Sequence, residues 1–336
     1  MILWTDVAEP QELTELARRA AQDREQRNEF NLGAFLPNEH SLSHTVTFEV
    51  GDNGYVEAAE YRAYDAETPI GGRGEGGRRV TFELPPLGQK RRVSEYEQLR
   101  HLGDGGEAAM RNALGRAAVQ RGEAVADRIE LERGRVLVSG KAAINENGFI
   151  VESEFGRDQE MTVTAGTKWG EASADPVQDI LDWQEAYVDK NGEAPAYIVA
   201  STKAISALSK FSGFLPKDSV RRRASFDEIN ALLDAEGLPT LVKYDRRVRV
   251  NAKSERVIPE ETLLFLPGDD AGLGKTFWGT TLESLDQDYS LQAEERPGIV
   301  AGAFKTNDPI AAWVKASAIG MPVLANANLA MAATVL

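Results

Sequence analysis

The stretch DGGEAAMRNALGRAAVQRGEAVADRIELERG, residues 104–134, decides how the chain is organised, because it predicts one long helix. Asp104 and Glu107 have the spacing of a capping box, in which side-chain oxygens accept hydrogen bonds from free backbone amides at a helix start. Apolar residues then recur every three or four positions, at Met110, Leu114, Ala117, Ala118, Val125 and Ile129. The helix therefore has a defined start and one apolar stripe.

Two glycines lie inside this helix. Gly115 and Gly122 each cost about 1 kcal/mol relative to alanine there, so they indicate that something packs closely against the helix backbone. Gly134 is predicted to end the helix. At 1.5 Å per residue the element is on the order of 40 Å long, which is longer than a helix buried in a small compact domain usually is.

The amino-acid composition excludes several classes of function. The 336 residues are 42% apolar, enough for two domains or one large one. The chain has no cysteine, which excludes disulfides, thiolate zinc sites and thiol catalysis. A net charge of −15 argues against sequence-independent DNA binding, which requires a basic surface. We see no signal peptide and no apolar segment long enough to cross a membrane, and expect a soluble intracellular protein.

Two segments before the long helix need a partner surface. Residues 1–38 contain a charged helical stretch with few apolar residues, which is either an arm that packs on another surface or partly disordered. In residues 42–93 apolar and polar side chains alternate, which predicts a strand, a glycine-rich loop and a second strand. An isolated ribbon of this kind is marginally stable, so it is either a surface excursion or an arm that reaches a neighbouring subunit.

The rest of the chain carries clear boundary signals. Ser94 to Glu97 is a second capping box, and Asn147-Gly148 predicts a hairpin. Asp175-Pro176 opens a helix that stops at Asn191-Gly192, and strands and helices up to about residue 304 complete an α/β module. Residues 304–336 are apolar and extended, and we expect them to return to the first module.

Two glycine motifs resemble nucleotide sites. GDDAGLGKT, residues 268–276, resembles a P-loop, but its first glycine is one residue too distant and FWGTT is a poor helix start. Gly72, Gly74 and Gly77 match GxGxxG without a strand before them or a helix after them. We interpret both as glycine-rich loops and predict no cofactor.

The histidines, arginines and carboxylates do not predict a metal, binding or catalytic site. His40 and His44 are four apart, but the residues around them look extended, so surface histidines are favoured over a zinc site. Arg221, Arg222 and Arg223 favour a solvated or salt-bridged face over a specific acidic partner. No carboxylate pair stands out for acid/base chemistry. We predict no catalytic residue and no metal ligand.

Several longer motifs carry a family resemblance. They are SEFG at 153–156, KWGEASADPVQDILDWQ at 168–184, APAYIVAS at 194–201, LGKTFWG at 273–279 and the ending TNDPIAAWVKASAIGMPVLANANLAMAATV. Together they resemble the major capsid protein of tailed bacteriophages, of the lambda capsid protein E type. The resemblance covers nearly the whole chain and is weaker before about residue 90.

The resemblance implies an α+β chain with the Hong Kong 97-type (HK-97-like) phage capsid fold. Residues 1–40 would be an N-terminal arm and 41–93 the E-loop hairpin. The peripheral domain would comprise 94–174 and 305–336, with a spine helix at about 104–133. The α/β axial domain would comprise 175–304. Hexamers and pentamers would then form an icosahedral shell, first as a procapsid that expands when DNA is packaged.

The implied partners are further copies of the chain, a scaffolding protein, a portal protein and a maturation protease, with a decoration or cement protein left open. The shell would enclose double-stranded DNA without sequence-specific binding, contact no membrane, and assemble in the host cytoplasm. We expect inter-subunit contacts at Gly72, Arg73, Arg78, Arg79, Arg91, Arg92, Arg221 and Arg222. Some relatives crosslink an E-loop lysine, but Lys90, at the base of the hairpin, is the only candidate, so no crosslink is expected.

Two other classes of protein stay open. An encapsulin-like compartment shell shares the fold and would be recognised by its cargo. A soluble α/β enzyme would be recognised by measurable turnover or nucleotide affinity.

Overall fold

The computed structural model describes residues 2–27, 30–50, 78–103, 106–214, 223–269, 271–308 and 310–336. Its helices are α1 (Pro10–Gln26), α2 (Glu95–Gly103), α3 (Glu107–Ser139), α4 (Pro176–Asn191), α5 (Thr202–Leu208), α6 (Phe226–Ala235) and α7 (Leu282–Leu285). Its strands are β1 (Ile2–Leu3), β2 (Asn38–His40), β3 (Thr45–Val50), β4 (Arg78–Glu83), β5 (Pro86–Val93), β6 (Lys141–Glu146), β7 (Phe149–Glu154), β8 (Thr162–Thr164), β9 (Tyr197–Ala200), β10 (Thr240–Lys243), β11 (Arg247–Val250), β12 (Lys253–Arg256), β13 (Thr262–Leu266), β14 (Gly274–Gly279), β15 (Val300–Asn307), β16 (Ile310–Leu324) and β17 (Met331–Thr334). The predictions made for Asp104, for 51–77 and for Arg221 and Arg222 fall outside the described residues.

The described residues form two compact units. The first contains those of 1–47, 81–133 and 275–322, and the second contains those of 48–80, 134–274 and 323–336. The first unit holds a six-stranded sheet in the order β1-β15-β16-β14-β2, with β5 also paired to β16. The second holds a five-stranded sheet in the order β10-β9-β13-β17-β8. The pairs β3–β4, β6–β7 and β11–β12 are two-stranded ribbons.

The long helix α3 has the predicted apolar stripe, since Met110, Leu114, Ala117, Ala118, Val125 and Ile129 are all buried. The prediction that it ends at Gly134 is wrong. A β-carbon at Gly134 would lie 2.3 Å from the Val257 carbonyl oxygen, so this glycine allows a close backbone approach in mid-helix. The helix ends instead at Gly140, which has a φ of 69° and donates its N–H to the Val136 carbonyl over 2.8 Å.

The N-terminal segment is a packed helix and not a disordered tail. Helix α1 buries Leu13, Ala17 and Ala21 in the core of the first unit. A β-carbon at Gly122 of α3 would lie 2.1 Å from the Ala17 carbonyl oxygen, which confirms the prediction that this glycine admits a close neighbour. Thr14 Oγ1 donates to the Ala301 carbonyl of β15 over 3.0 Å. The partner surface that this charged helix needs is therefore supplied by its own chain.

The short-range boundary signals are confirmed. Ser94 Oγ accepts the Glu97 N–H over 3.3 Å, while Glu97 Oε2 accepts the Ser94 N–H over 2.9 Å. Asp175 caps α4 with Pro176 at its first position, and Gly192, with a φ of 81°, ends it. Asn147 and Gly148, both with positive φ, form the turn of the β6–β7 hairpin.

Residues of the predicted α/β module, 175 to about 304, contribute β9, β10 and β13 to the five-stranded sheet of the second unit, and β8 and β17 join that sheet from outside this range. Trp183 of α4 packs edge-on against Phe265 of β13, with ring centroids 6.0 Å apart. The final segment is extended, as predicted, but it does not return to the first unit as a whole. Strand β17 pairs with the buried strand β13 and with β8 in the five-stranded sheet.

Arg157 closes the end of α3 within the second unit. Its Nη2 donates to the Leu137 carbonyl over 2.6 Å, and its Nη1 donates to the Val138 carbonyl over 2.9 Å. These are orphan carbonyls at the negative end of the helix dipole, where a cation is stabilising. Burial lowers the pKa of Arg157 to about 10, which leaves the guanidinium charged at neutral pH.

Replacing Arg157 by methionine is expected to lower the free energy of unfolding by about 2 to 4 kcal/mol, because the carbonyl oxygens lose a charged donor and stay buried. Urea denaturation of the soluble subunit measures this. Arg223→Met is the control, since Arg223 is exposed and donates only to Ser206 Oγ over 3.2 Å. Equal stability losses in the two variants would contradict the capping role.

Candidate assembly surfaces

A fully buried arginine fixes the segment that follows α1. Arg133 of α3 is 0% exposed, and its Nη1 lies 2.8 Å from Glu25 Oε1 and 3.2 Å from Glu130 Oε2. Its Nη2 donates to Asn38 Oδ1 over 2.7 Å, and its Nε donates to Thr276 Oγ1 over 3.0 Å. We call these five side chains the Arg133 cluster.

The Arg133 cluster was not predicted, because its members come from four separate parts of the sequence. A Glu130–Arg133 spacing of three residues is an ordinary surface ion pair when read on its own. The cluster joins α1, β2 and β14 to α3 within the first unit, so the entire first arm of the chain is held to the helix. This rigid base is the frame on which the exposed surfaces lie.

The P-loop-like motif contributes to this frame. Strand β14 follows Gly272, so no helix N-terminus is present there, as predicted. Lys275 forms an ion pair with Glu39 of β2, and Thr276 Oγ1 donates to the Leu36 carbonyl over 2.9 Å. The lysine and threonine that would bind phosphate and magnesium in a P-loop are thus used to pair β14 with β2.

The sequence analysis disfavoured a zinc site at His40 and His44, and neither residue lies on a helix in the structure. His40 belongs to β2, and partial burial together with the nearby Arg18 lowers its pKa. The described residues hold no group of three or more histidine, aspartate or glutamate side chains placed to bind a metal ion. His40 and His44 therefore share no helix face.

Four of the predicted contact residues lie on strands. Arg78 and Arg79 belong to β4, while Arg91 and Arg92 belong to β5 and are exposed. Arg91 Nη1 donates to Gln120 Oε1 over 3.2 Å. Among the described strands β5 pairs only with β16, so its outer edge is open. Gly72, Arg73, Arg221 and Arg222 lie outside the described residues.

An open groove of about 670 Å³ borders the same strand. Its floor is formed by β5 and β16, and its rim by the short helix α7. Leu282 on the rim is 84% exposed, whereas Glu283 turns inward to an ion pair with Lys315. Lys90 lies on the groove wall with its Nζ 4.9 Å from the centroid of the Trp313 ring, a cation–π contact.

Two large apolar side chains are also exposed on α2 in the first unit. Tyr96 is 75% exposed and Leu99 is 61% exposed, three residues apart on one helix face. With Leu282 and Leu285 they make the first unit rich in large apolar side chains that face outward. Exposed apolar surface of this kind is typical of a protein–protein contact. The sequence analysis did not single these residues out, although the Tyr96–Leu99 spacing on a polar helix was the available signal.

The family model described as "Phage major capsid protein E" matches residues 12–335, nearly the whole chain. The chain belongs to this family. Its members are structural proteins of the phage capsid, so the chain is a capsid shell protein of the virion and not an enzyme. No curated protein sequence gives a significant match.

Solved structures with the same fold are distant in sequence. A protein described as the capsid protein of a prophage of E. coli CFT073 superposes with a TM-score of 0.62 at 14% identity, covering 95% of this chain and 99% of that one. A phage-related protein of Bordetella bronchiseptica gives 0.55 at 14% identity, covering 99% and 96%. A virus-like particle of Pyrococcus furiosus gives 0.50 at 11% identity, covering 95% and 98%. The fold is the Hong Kong 97 type that the resemblance implied.

As a capsid subunit the chain must associate with further copies of itself. Helix α3 begins at Glu107, within three residues of the predicted start. Helices long and apolar enough to span a bilayer do not occur in the described part of the chain. The surfaces available for association in the first unit are the β5 edge, the α7 groove and the α2 pair.

Proposed function

We propose that this capsid subunit assembles as hexamers and pentamers into the icosahedral head of a tailed double-stranded DNA phage. The observation that supports this most is that large apolar side chains of the first unit face outward and do not belong to its buried core. Tyr96, Leu99, Leu282 and Leu285 are exposed while the core of the same unit is buried. Many copies of modest contacts of this kind sum to a stable closed shell.

The proposal includes the partners that the resemblance implies. A scaffolding protein would guide procapsid formation, a maturation protease would remove it, and a portal protein would occupy one vertex. A decoration protein stays open. Assembly would take place in the host cytoplasm, followed by expansion on DNA packaging. The net charge of −15 supports an inner wall to which packaged DNA does not adhere.

The arginine contacts remain part of the proposal. Arg79 is exposed on β4, and Arg91 and Arg92 are exposed on β5 next to its open edge. Burial and then the nearby charge of Arg91 lower the pKa of Arg121. We extend the same role to Gly72, Arg73, Arg78, Arg221 and Arg222 on sequence alone.

Replacing Leu282 by aspartate is expected to weaken capsomer formation at least about tenfold, because a charge at an apolar contact must be desolvated. Sedimentation velocity measures the capsomer fraction against protein concentration. The side chain is 84% exposed in the subunit, so the thermal midpoint of the isolated subunit should not change.

Gln11→Asp is the matched control, since it adds the same charge at an exposed polar position of α1. Assembly of Leu282→Asp at the concentration required by the wild type would contradict a contact at the α7 groove. Failure of the wild-type chain itself to associate would contradict the proposed function.

A further inference from the structure

The β11–β12 ribbon concentrates positive charge in the second unit. Arg247 lies directly opposite Arg256 across the ribbon. Since side chains alternate along a strand, Arg247 and Arg249 share one face while Val248, which is buried, lies on the other. Both arginines are exposed. We call this surface the Arg247–Arg249 face.

Nearby carboxylates of the same chain are already bound to other cations. Asp245 Oδ1 lies 2.6 Å from Arg256 Nη1. Glu260, whose pKa is lowered first by Lys203 and then by Arg256 and Arg247, has its Oε1 2.6 Å from Lys203 Nζ. Within the part of the chain that the structure describes, neither Arg247 nor Arg249 has a side-chain ion pair or hydrogen bond. Both guanidinium groups can therefore bind a carboxylate of another molecule.

Helix α4 of the same unit carries the opposite charge. Asp182, Glu185 and Asp189 are spaced by three and four residues, share one face of the helix and are all exposed. The nearby Lys190 has its Nζ 2.6 Å from Asp158 Oδ2. We call this surface the acidic α4 face.

The two surfaces lie on different elements of the second unit. The ribbon follows β10 along the chain, and α4 packs on the five-stranded sheet through Trp183, whose ring centroid lies 6.0 Å from that of Phe265 in β13. A contact between two different patches of identical subunits is heterologous, and such contacts close into rings when repeated by rotation.

We propose that the Arg247–Arg249 face of one subunit binds the acidic α4 face of the next subunit in a capsomer ring. This inference rests on the proposed assembly function and names one contact of it. Copies with a net charge of −15 repel one another, so joining the exposed basic face to an acidic face both speeds association and fixes the orientation of the ring.

Charge reversal of either face tests the contact. Arg247→Glu/Arg249→Glu and Asp182→Arg/Glu185→Arg are each expected to raise the protein concentration needed for half-maximal capsomer formation at least about tenfold. Sedimentation velocity at low ionic strength measures this. The difference from the wild type should shrink in 0.5 M NaCl, which is on the order of three times physiological ionic strength and screens exposed pairs.

A combined variant separates a specific contact from a folding defect. The quadruple variant that carries both reversals restores opposite charges between neighbouring subunits, so it should assemble within about threefold of the wild type. Lys210→Glu/Lys243→Glu is the control, because it makes the same change in net charge at exposed lysines of the second unit. It should leave assembly unchanged.

Three results would overturn the inference while leaving the proposed function intact. The first is that the wild type forms capsomers and Arg247→Glu/Arg249→Glu needs the same protein concentration for assembly as the lysine control. The second is that the quadruple variant assembles no better than either double variant. The third is that the arginine variant forms normal shells that retain less DNA, which would assign the Arg247–Arg249 face to nucleic acid. A wild type that forms no capsomers contradicts the proposed function instead.

Discussion

Alanine at Gly122 is expected to lower the free energy of unfolding by about 3 kcal/mol or more, although alanine is the better helix former. The added β-carbon would lie 2.1 Å from the Ala17 carbonyl oxygen and 2.8 Å from its carbonyl carbon. Those are backbone atoms of α1, so relief requires α1 to move away from α3. Urea denaturation of the soluble subunit, followed by circular dichroism, measures the loss.

Gly115→Ala is the matched control on the same helix. The nearest atom to its new β-carbon is the Leu16 Cδ1 at 3.4 Å, which is an ordinary van der Waals contact at the end of a flexible side chain. This variant should gain up to about 1 kcal/mol from helix propensity. The two substitutions are chemically identical and are expected to change the free energy of unfolding in opposite directions. A stabilising effect of Gly122→Ala would contradict the packing of α1 on α3.

Methionine at Arg133 is expected to destabilise the subunit by about 3 to 5 kcal/mol, because it leaves buried carboxylates without their cation. Glu130 is 0% exposed and also accepts the Leu32 N–H, so it cannot turn to solvent without breaking that bond. Asn38 and Thr276 lose a charged donor at the same time. The midpoint and slope of urea denaturation give the change.

Two further variants define the origin of this loss. Glu130→Met/Arg133→Met removes both charges, and its destabilisation should be smaller than the sum of the two single variants by at least about 1 kcal/mol. Arg111→Met removes an exposed ion pair with Glu12 and should leave the midpoint unchanged. Additive losses at Glu130 and Arg133 would show that the two side chains do not act as a buried pair.

Features encoded within a few residues were predictable. The Ser94–Glu97 box, the Asp175-Pro176 start of α4 and the Asn147-Gly148 turn each depend on side chains that bond to their own local backbone. The apolar stripe of α3 follows from the 3.6-residue period of a helix, and Gly122 was correctly interpreted as a point of close approach. These signals need no knowledge of distant contacts.

Features that depend on distant residues were not predictable in the same way. Gly134 and Gly140 both fit a helix end by sequence, and only the approach of Val257 to Gly134 separates them. The Arg133 cluster unites residues about one hundred positions apart, and a buried charge has no periodic signature. The prediction for residues 304–336 did not separate β16 from β17, because an apolar alanine-rich segment fits either sheet.

The assembly surfaces were predicted only in part. The sequence indicated basic residues near β4 and β5, and the structure leaves Arg91 and Arg92 exposed beside an open edge. It did not indicate Tyr96 or Leu282, because an isolated apolar residue on a short helix is read as core unless its burial is known. Nor did it indicate the Arg247–Arg249 face, whose significance depends on which side of the ribbon is exposed.

Electron microscopy of the chain, produced alone and together with the product of any neighbouring scaffold gene, is the most direct test of the central claim that this subunit builds a phage head. We expect closed shells hundreds of ångströms across, or free hexamers and pentamers, and particles that hold no protein cargo of the kind an encapsulin-like shell encloses. A stable monomer that fails to assemble across protein concentration, salt and scaffold ratio would contradict the account.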